Sequence, residues 1–235
     1  MKITKVTITG ADDNVNQLRL KQLSEKFPFV EWGILFSSSK VAKQRYPTMD
    51  WVAGLMEHNV PLSAHYCGWW SKQVIEEGNV SLIQNLINPF KRVQLNYNFS
   101  TAKGLIDFRP IITTAANNPD LSVIFQYNKS NKSVLDYLAI TDIPDNINFL
   151  YDSSGGRGTE IETIGYPIHT GSKTFYTGYS GGIRLENIVP VCDMIEQYPN
   201  ENECWIDLES GARTDNEFDL YLVEAILNIV SKYIK

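Results

Sequence analysis

Cysteine and histidine, on which disulfide frameworks and many metal centres depend, are scarce in this chain of 235 residues, with three of each. Cys67, Cys192 and Cys204 are odd in number and far apart, which fits neither a disulfide framework nor a CxxC metal pair. No three His, Cys, Asp or Glu residues have the spacing of metal ligands. We therefore expect no metal and no cofactor.

Positive charge and long apolar runs are also lacking. The chain has 21 Lys and Arg against 27 Asp and Glu, a formal net charge of −6 at pH 7, and no basic stripe of the kind that binds nucleic acid or a membrane surface. No apolar run approaches the roughly 18 residues of a membrane-spanning helix. The first residues enter a strand pattern directly, so we expect no signal peptide. We expect a cytoplasmic protein, monomeric or homodimeric, whose partner is a small molecule.

Short β-rich runs alternate with amphipathic helical stretches, and no linker or change in composition interrupts them. The pattern predicts a single domain over residues 1–235, an α/β fold of the (βα)8 (TIM) barrel type. An open, doubly wound sheet is the alternative, but it normally has its glycine-rich loop after strand 1, whereas here such loops follow strands 6, 7 and 8. The predicted strands are Thr4–Thr9, Glu31–Phe36, Val60–Cys67, Arg92–Asn96, Ser122–Tyr127, Asn148–Asp152, Thr174–Gly178 and Cys204–Leu208.

The loops after strands 7 and 8 predict a phosphate site. Gly181 and Gly182 follow strand 7, and Ser210 and Gly211 follow strand 8. Glycine lets the backbone approach an anion closely, and (βα)8 barrels often bind phosphate between these two loops. The alternative is that both are ordinary turns in which glycine adopts left-handed conformations.

Asp152 ends strand 6, in a position suited to acid–base chemistry. The loop that follows it is rich in glycine and has one arginine, which would allow it to fold over an anion. Asp152 is equally suited to capping its own turn. The loop residues expected to bind phosphate are Gly155, Gly156, Arg157 and Gly158.

Two amide pairs follow the two-residue periodicity of strands 4 and 5. Gln94 shares a face with Asn96, and Gln126 shares a face with Asn128. Such amides either contact a polar ligand in the barrel mouth or satisfy one another in a polar layer of the interior.

These segments together resemble the phosphoribosylanthranilate isomerase family over nearly the whole chain, and the last third is the most specific part. The resemblance implies a (βα)8 barrel whose strand 6 to 8 loops bind the phosphate of a phosphoribosyl ligand, with Asp152 at the position of the general acid. The matching segments are Thr7-Ile8-Thr9-Gly10, Val93-Gln94-Leu95, Asn148 to Asp152 with Gly155 to Thr159, Gly181-Gly182-Ile183 with Glu186-Asn187-Ile188, and Ile206-Asp207-Leu208 with Ser210-Gly211.

The chain departs from the family where catalysis would occur. Thr9, which we expect to contact the ligand, stands at the position of the general-base cysteine, and an alcohol is no unaided base. Loss of a catalytic base commonly costs about 10²–10⁴-fold in rate. Further departures are Thr7 in place of a lysine, Asn96 in place of a histidine and Arg213 in place of a glutamate. Either Lys40 or Arg45 stands for the arginine of the strand 2 loop.

Three residues are candidates for the missing group. His65, near the end of strand 3, would titrate near neutrality as a base, or is a hydrogen-bonded histidine without chemistry. Cys67 is a displaced thiol or, more often in such positions, a buried structural cysteine. Glu209 is a second carboxylate beside the strand 8 turn.

The sequence leaves three functions open. The first is an acid–base isomerisation, or a related step, on a phosphorylated sugar or phosphoribosyl ligand, with Asp152 as acid and His65 as base. The second is a phosphometabolite or nucleotide binder without catalysis. The third is cleavage of a sugar–base bond by a carboxylate pair, Asp152 and Glu209.

Overall fold

The computed structural model describes residues 1–84, 90–102, 104–139, 142–152, 165, 167–170, 173–198 and 202–234. Within them, eight parallel strands close into a barrel in the order β1-β8-β7-β6-β5-β4-β3-β2, so that the first strand pairs with the last. The predicted (βα)8 barrel is therefore confirmed. The strands are β1 Lys2–Thr9, β2 Val30–Phe36, β3 Leu62–Cys67, β4 Arg92–Asn96, β5 Ser122–Tyr127, β6 Ile147–Asp152, β7 Thr177–Ser180 and β8 Glu203–Leu208.

In the described part of the chain, helices follow β1 to β5, β7 and β8, and they begin at polar caps where the sequence provides them. The Asn16 side chain accepts hydrogen bonds from the N–H groups of Leu18 and Arg19, and Asp219 caps the last helix in the same way. Among the described residues, no helix is long and apolar enough to span a membrane. The helices are α1 Gln17–Lys26, α2 Met49–Met56, α3 Trp69–Ile75, α4 Ser81–Gln84, α5 Arg109–Asn117, α6 Lys132–Ala139, α7 Ile188–Glu196 and α8 Leu220–Val230.

Strand 7 differs from the prediction. Thr174 lies outside the barrel, in a short antiparallel pair between His169–Thr170 and Lys173–Thr174, and β7 runs from Thr177 to Ser180. The Thr177 hydroxyl donates to the carbonyl of Phe175, which helps to define the turn between the two elements. Because residues 173–179 are rich in β-formers and contain no turn residue before Gly178, their composition does not mark this boundary.

The two faces of each strand have different chemistry. On β4, Val93 and Leu95 belong to the main apolar core, whereas Arg92, Gln94 and Asn96 face the barrel interior. This alternation holds because successive side chains of a strand point to opposite faces. The outer layer therefore holds the barrel to its helices, and the interior is left for polar groups.

A buried ion pair occupies the interior near the amino-terminal ends of the strands. Arg92 Nη1 lies 2.8 Å from Glu31 Oε2, and the side chains are 5% and 2% exposed. Thr7 donates to the same oxygen at 3.1 Å, and Lys5 Nζ lies 3.5 Å from Oε1. The Arg92 guanidinium also stacks over the Trp205 ring, 4.2 Å from its centroid.

An apolar layer separates this ion pair from the upper part of the barrel. It is formed by Ile124, Leu150 and Trp205. Gly178 makes room for the indole, since a Cβ at this position would lie 2.1 Å from the Trp205 ring. The carboxyl-terminal half of the barrel above this layer is open to polar side chains.

Candidate functional site

A cavity of about 410 Å³ opens at the carboxyl-terminal ends of the strands. It is the place where (βα)8 barrels carry their active sites. Its lining combines the loops after β7 and β8 with inward-facing residues of the strands. Of the residues predicted to form the site, it contains Thr9, His65, Gln94, Asn96, Gln126, Asp152, Gly181, Gly182, Glu209, Ser210 and Gly211.

The loop after β7 has a conformation that its glycines allow. Gly181 and Gly182 have φ values of +108° and +59°, which side-chain-bearing residues rarely adopt. Asn187 closes this loop, because its side chain accepts from the Arg184 N–H at 2.8 Å and donates to the Gly182 carbonyl at 2.8 Å.

Gly211 brings the loop after β8 against the loop after β7. A Cβ at this position would lie 2.0 Å from the Ile183 carbonyl oxygen and 2.9 Å from Arg184 Cα. Within the described residues, the N–H groups of Gly182, Ile183 and Gly211 donate no hydrogen bond, although all three residues line the cavity. Backbone donors collected in this way are suited to an anion.

Asp152 lies in the cavity wall as predicted. Its side chain is buried, and Oδ2 accepts a hydrogen bond of 2.9 Å from Gln126 Nε2. Its strand is paired with β7, with Asp152 opposite Ser180.

Asp207 is a second buried carboxyl group in the cavity, and sequence reasoning gave it no role. Thr9 Oγ1 donates to its Oδ1 at 3.1 Å. Burial raises the pKa of Asp207 to about 8, helped by the charges of Glu209 and Glu31, while the Thr9 hydrogen bond and Arg92 act in the opposite direction. Asp207 stands two residues after Trp205 and two before Glu209, and this two-residue periodicity of strand 8 turns its side chain toward the barrel interior.

His65 lies in the cavity wall, but the expectation that it titrates near neutrality is wrong. Burial lowers its pKa to about 3; the charge of Glu31 opposes this shift, and the charge of Arg92 adds a smaller effect in the same direction as burial. Its Nδ1 lies 3.4 Å from Gln94 Nε2, whose amide donates, so the ring proton belongs on Nε2, which has no partner among the described residues. A neutral imidazole of this kind is a hydrogen-bond donor toward a ligand and a poor acceptor of a full proton.

The amide pairs separate. Gln94 Nε2 donates to Asn96 Oδ1 at 2.8 Å, and both residues line the cavity. Asn128 does not line it: its Oδ1 accepts from the N–H groups of Ser130 and Asn131, as asparagines do after a strand. Burial raises the pKa of Cys67 to about 11, which favours its structural interpretation.

Arginines occupy the rim of the cavity. Arg45 Nη1 lies 2.8 Å from Glu209 Oε1, so Glu209 is an ion-paired rim residue. Arg45, rather than Lys40, reaches the cavity from the strand 2 loop. Arg213 lines it too and donates to the Gly10 carbonyl at 2.7 Å. Arg184 is a third arginine in the cavity lining, whereas the Arg213 side chain is buried against Asp12.

Gly155, Gly156, Arg157 and Gly158 lie outside the described residues. Among the residues that are described, no group of three His, Cys, Asp or Glu side chains is arranged to hold a metal ion.

No family model matches the chain, and no curated protein sequence matches it. Solved structures do: the phosphoribosyl anthranilate isomerase from Thermococcus kodakaraensis (TM-score 0.57, 14% identity, 97% of this chain and 98% of that chain covered) and the N-(5'-phosphoribosyl)anthranilate isomerase from Pyrococcus furiosus (0.58, 15%, 97% and 99%). The isomerase from Thermus thermophilus is similar to the same degree (0.58, 14%, 97% and 98%). At these identities the likeness shows the fold alone: the chain has the barrel fold that these isomerases have.

Proposed function

We propose that this protein is a diverged relative of the phosphoribosylanthranilate isomerases that binds a phosphorylated sugar, of phosphoribosyl type, and catalyses an acid–base isomerisation or a related step on it. The phosphate binds between the loops after β7 and β8. The sugar then lies over the polar strand ends, between Asp152, Asp207 and the Gln94–Asn96 pair.

The observation that carries the proposal is the set of unpaired backbone donors at the junction of the two loops. Gly182, Ile183 and Gly211 supply N–H groups without a partner among the described residues, and Gly211 holds the two loops together. Buried or half-buried N–H groups normally find a partner. A phosphate oxygen is a strong acceptor for them, and Arg184 lines the same wall.

The strand 1 position argues against the reaction of the tryptophan pathway. Thr9 stands where the family resemblance implies a cysteine base, and its hydroxyl is engaged with Asp207. Two carboxyl groups nevertheless line the cavity, those of Asp152 and Asp207. Proton transfer on a sugar needs a donor and an acceptor of this kind.

Ribose 5-phosphate is the first probe. We expect it to raise the melting temperature, whereas ribose leaves it unchanged, because the phosphate supplies the binding energy; saturation at one hundred times Kd corresponds to about 2.7 kcal/mol of added stability. Gly182→Asp places a carboxylate at the anion site and is expected to weaken the binding of ribose 5-phosphate at least about tenfold, measured by isothermal titration calorimetry.

Gly78→Asp is the matched control. Gly78 has φ +62°, close to the +59° of Gly182, but lies after α3 and outside the cavity lining. The control carries the same charge and a similar backbone strain, and should bind ribose 5-phosphate like the wild type. Equal binding by Gly182→Asp and wild type would refute the phosphate site. Binding without any exchange of the C2 hydrogen in D₂O would identify a binder that lacks catalysis.

A further inference from the structure

Asp152 and Asp207 face the cavity from two strands that flank β7. Both are paired in register with Ser180, Asp152 from β6 and Asp207 from β8. Neighbouring strands are about 4.8 Å apart, so the two Cα atoms are separated by roughly 10 Å. Two carboxyl groups that extend into the cavity from such positions can approach opposite sides of a sugar ring.

The surroundings of these two carboxyl groups differ. Asp152 Oδ2 accepts a hydrogen bond of 2.9 Å from the Gln126 amide. Burial disfavours the charged form of Asp207, and the negative charges of Glu209, just after the end of β8, and of Glu31 on β2 act in the same direction. Arg92 on β4 and the Thr9 hydroxyl on β1 oppose this effect, but the pKa of Asp207 still rises to about 8. Ser180, its neighbour on β7, carries no charge.

The hydrogen bond from Thr9 also determines which carboxyl oxygen of Asp207 can carry a proton. Because the Thr9 hydroxyl donates to Oδ1, a proton on Asp207 belongs on Oδ2. Gly33 permits this arrangement, since a Cβ there would lie 2.2 Å from Thr9 Oγ1 and 3.0 Å from His65 Cε1. Thr9 is thus a positioning residue for Asp207.

We propose that Asp207 is the proton donor of the site and Asp152 the proton acceptor, the reverse of the role that the family resemblance implies for Asp152. This inference rests on the proposed function, a sugar phosphate bound with its phosphate at the β7 and β8 loops. It also removes the need for His65 as a base, a role that its neutral, buried imidazole does not suit.

The proton balance of the isomerisation follows. The Asp207 Oδ2–H bond breaks, and its proton goes to the ring oxygen of the sugar. The bond between C1 and the ring oxygen breaks, and its electron pair goes to that oxygen. The lone pair of the C1 substituent then forms a double bond to C1. Asp152 takes the proton from C2, and the electron pair of the C2–H bond forms a C1=C2 double bond. The double bond between C1 and its substituent becomes a single bond, and its electron pair returns to the substituent as a lone pair. The proton on Asp152 then moves to C1, and the C2 hydroxyl gives its proton to Asp207 as the ketone forms, which restores both groups.

Carboxyl titration by NMR tests the assignment directly. With aspartate ¹³C-labelled at the carboxyl carbon, we expect one resonance to titrate near pH 8, and to be absent from Asp207→Asn but present in Asp152→Asn. Loss of that resonance in Asp152→Asn instead, or the absence of any aspartate titrating above pH 6, would overturn the proposal. Inorganic phosphate is titrated into the same samples.

The phosphate titration distinguishes an error in the proton assignment from an error in the proposed function. Phosphate that binds all three proteins while Asp207 titrates at ordinary acidic pH would overturn the proton assignment alone. A wild-type protein that does not bind phosphate would overturn the proposed function.

Exchange of the C2 hydrogen of ribose 5-phosphate in D₂O measures the proton transfer itself. Where this exchange occurs, its rate should fall above pH 8 as Asp207 loses its proton and should be about 10²-fold lower in Asp207→Asn. An exchange rate that rises through pH 8 contradicts the donor role of Asp207.

Discussion

Replacing Glu31 with glutamine is expected to lower the free energy of unfolding by about 3–5 kcal/mol, measured by urea denaturation at pH 7. The Arg92 guanidinium is buried, and Glu31 is its ion-pair partner at 2.8 Å. Burial by itself would raise the pKa of Glu31, but Arg92, Lys5 and the Thr7 hydroxyl together hold this pKa below its ordinary value. Glutamine keeps the shape of the side chain and leaves the Arg92 charge uncompensated.

Two further variants separate the charge from the packing. Glu31→Leu combined with Arg92→Met removes both charges, so we expect it to destabilise the protein less than Glu31→Gln alone. Glu25→Gln makes the same chemical change at an exposed position, where Glu25 lies 4.0 Å from Lys21, and should cost less than about 1 kcal/mol. A Glu31→Gln protein as stable as Glu25→Gln would contradict a structural role for the buried pair.

The stability of Asp207→Asn relative to the wild type is expected to depend strongly on pH. The pKa of Asp207 is raised to about 8 in the folded protein from 3.8 in the unfolded chain. A raised carboxyl pKa contributes stability that is fully present below pH 3.8 and is lost as pH rises to about 8. Asparagine does not ionise, so the variant keeps its stability over this range and should exceed the wild type above pH 8, by roughly 6 kcal/mol at most.

Denaturation at pH 5, 7 and 9 measures this difference. Asp120→Asn, the same change at an exposed aspartate, is the control and should show a constant difference from the wild type. A difference between Asp207→Asn and wild type that does not change between pH 5 and pH 9 would mean that Asp207 is ionised throughout.

Strand periodicity was sufficient to predict the barrel, because parallel strands buried on both faces are apolar toward the helices and end in polar or glycine-rich turns. Strands β4 and β5 have the predicted bounds, and β1, β2, β3, β6 and β8 differ by one or two residues at their starts. Strand 7 was misplaced because the segment from Lys173 to Tyr179 has no turn residue to end its hairpin. Local composition predicts where a strand forms, but pairing partners decide where it ends.

The polar contents of the cavity were predicted only in part. Asp152 and the glycines after β7 and β8 were found because they sit at strand ends in recognisable loops. The pKa values of His65 and Asp207 depend on burial and on charges from distant strands, such as Glu31 and Arg92, which barrel closure brings together. The two-residue periodicity of the strands predicts that these side chains point into the barrel, but it does not predict which of them contact one another.

Phosphate binding by the backbone of the loops after β7 and β8 can be observed in an ¹H–¹⁵N NMR titration of the ¹⁵N-labelled protein with inorganic phosphate. We predict that the amide resonances of Gly182, Ile183 and Gly211 shift together, with one dissociation constant, and that Gly182→Asp abolishes the shifts. Shifts confined to other parts of the chain, or none at phosphate concentrations that saturate a millimolar site, would contradict phosphate binding by these loops.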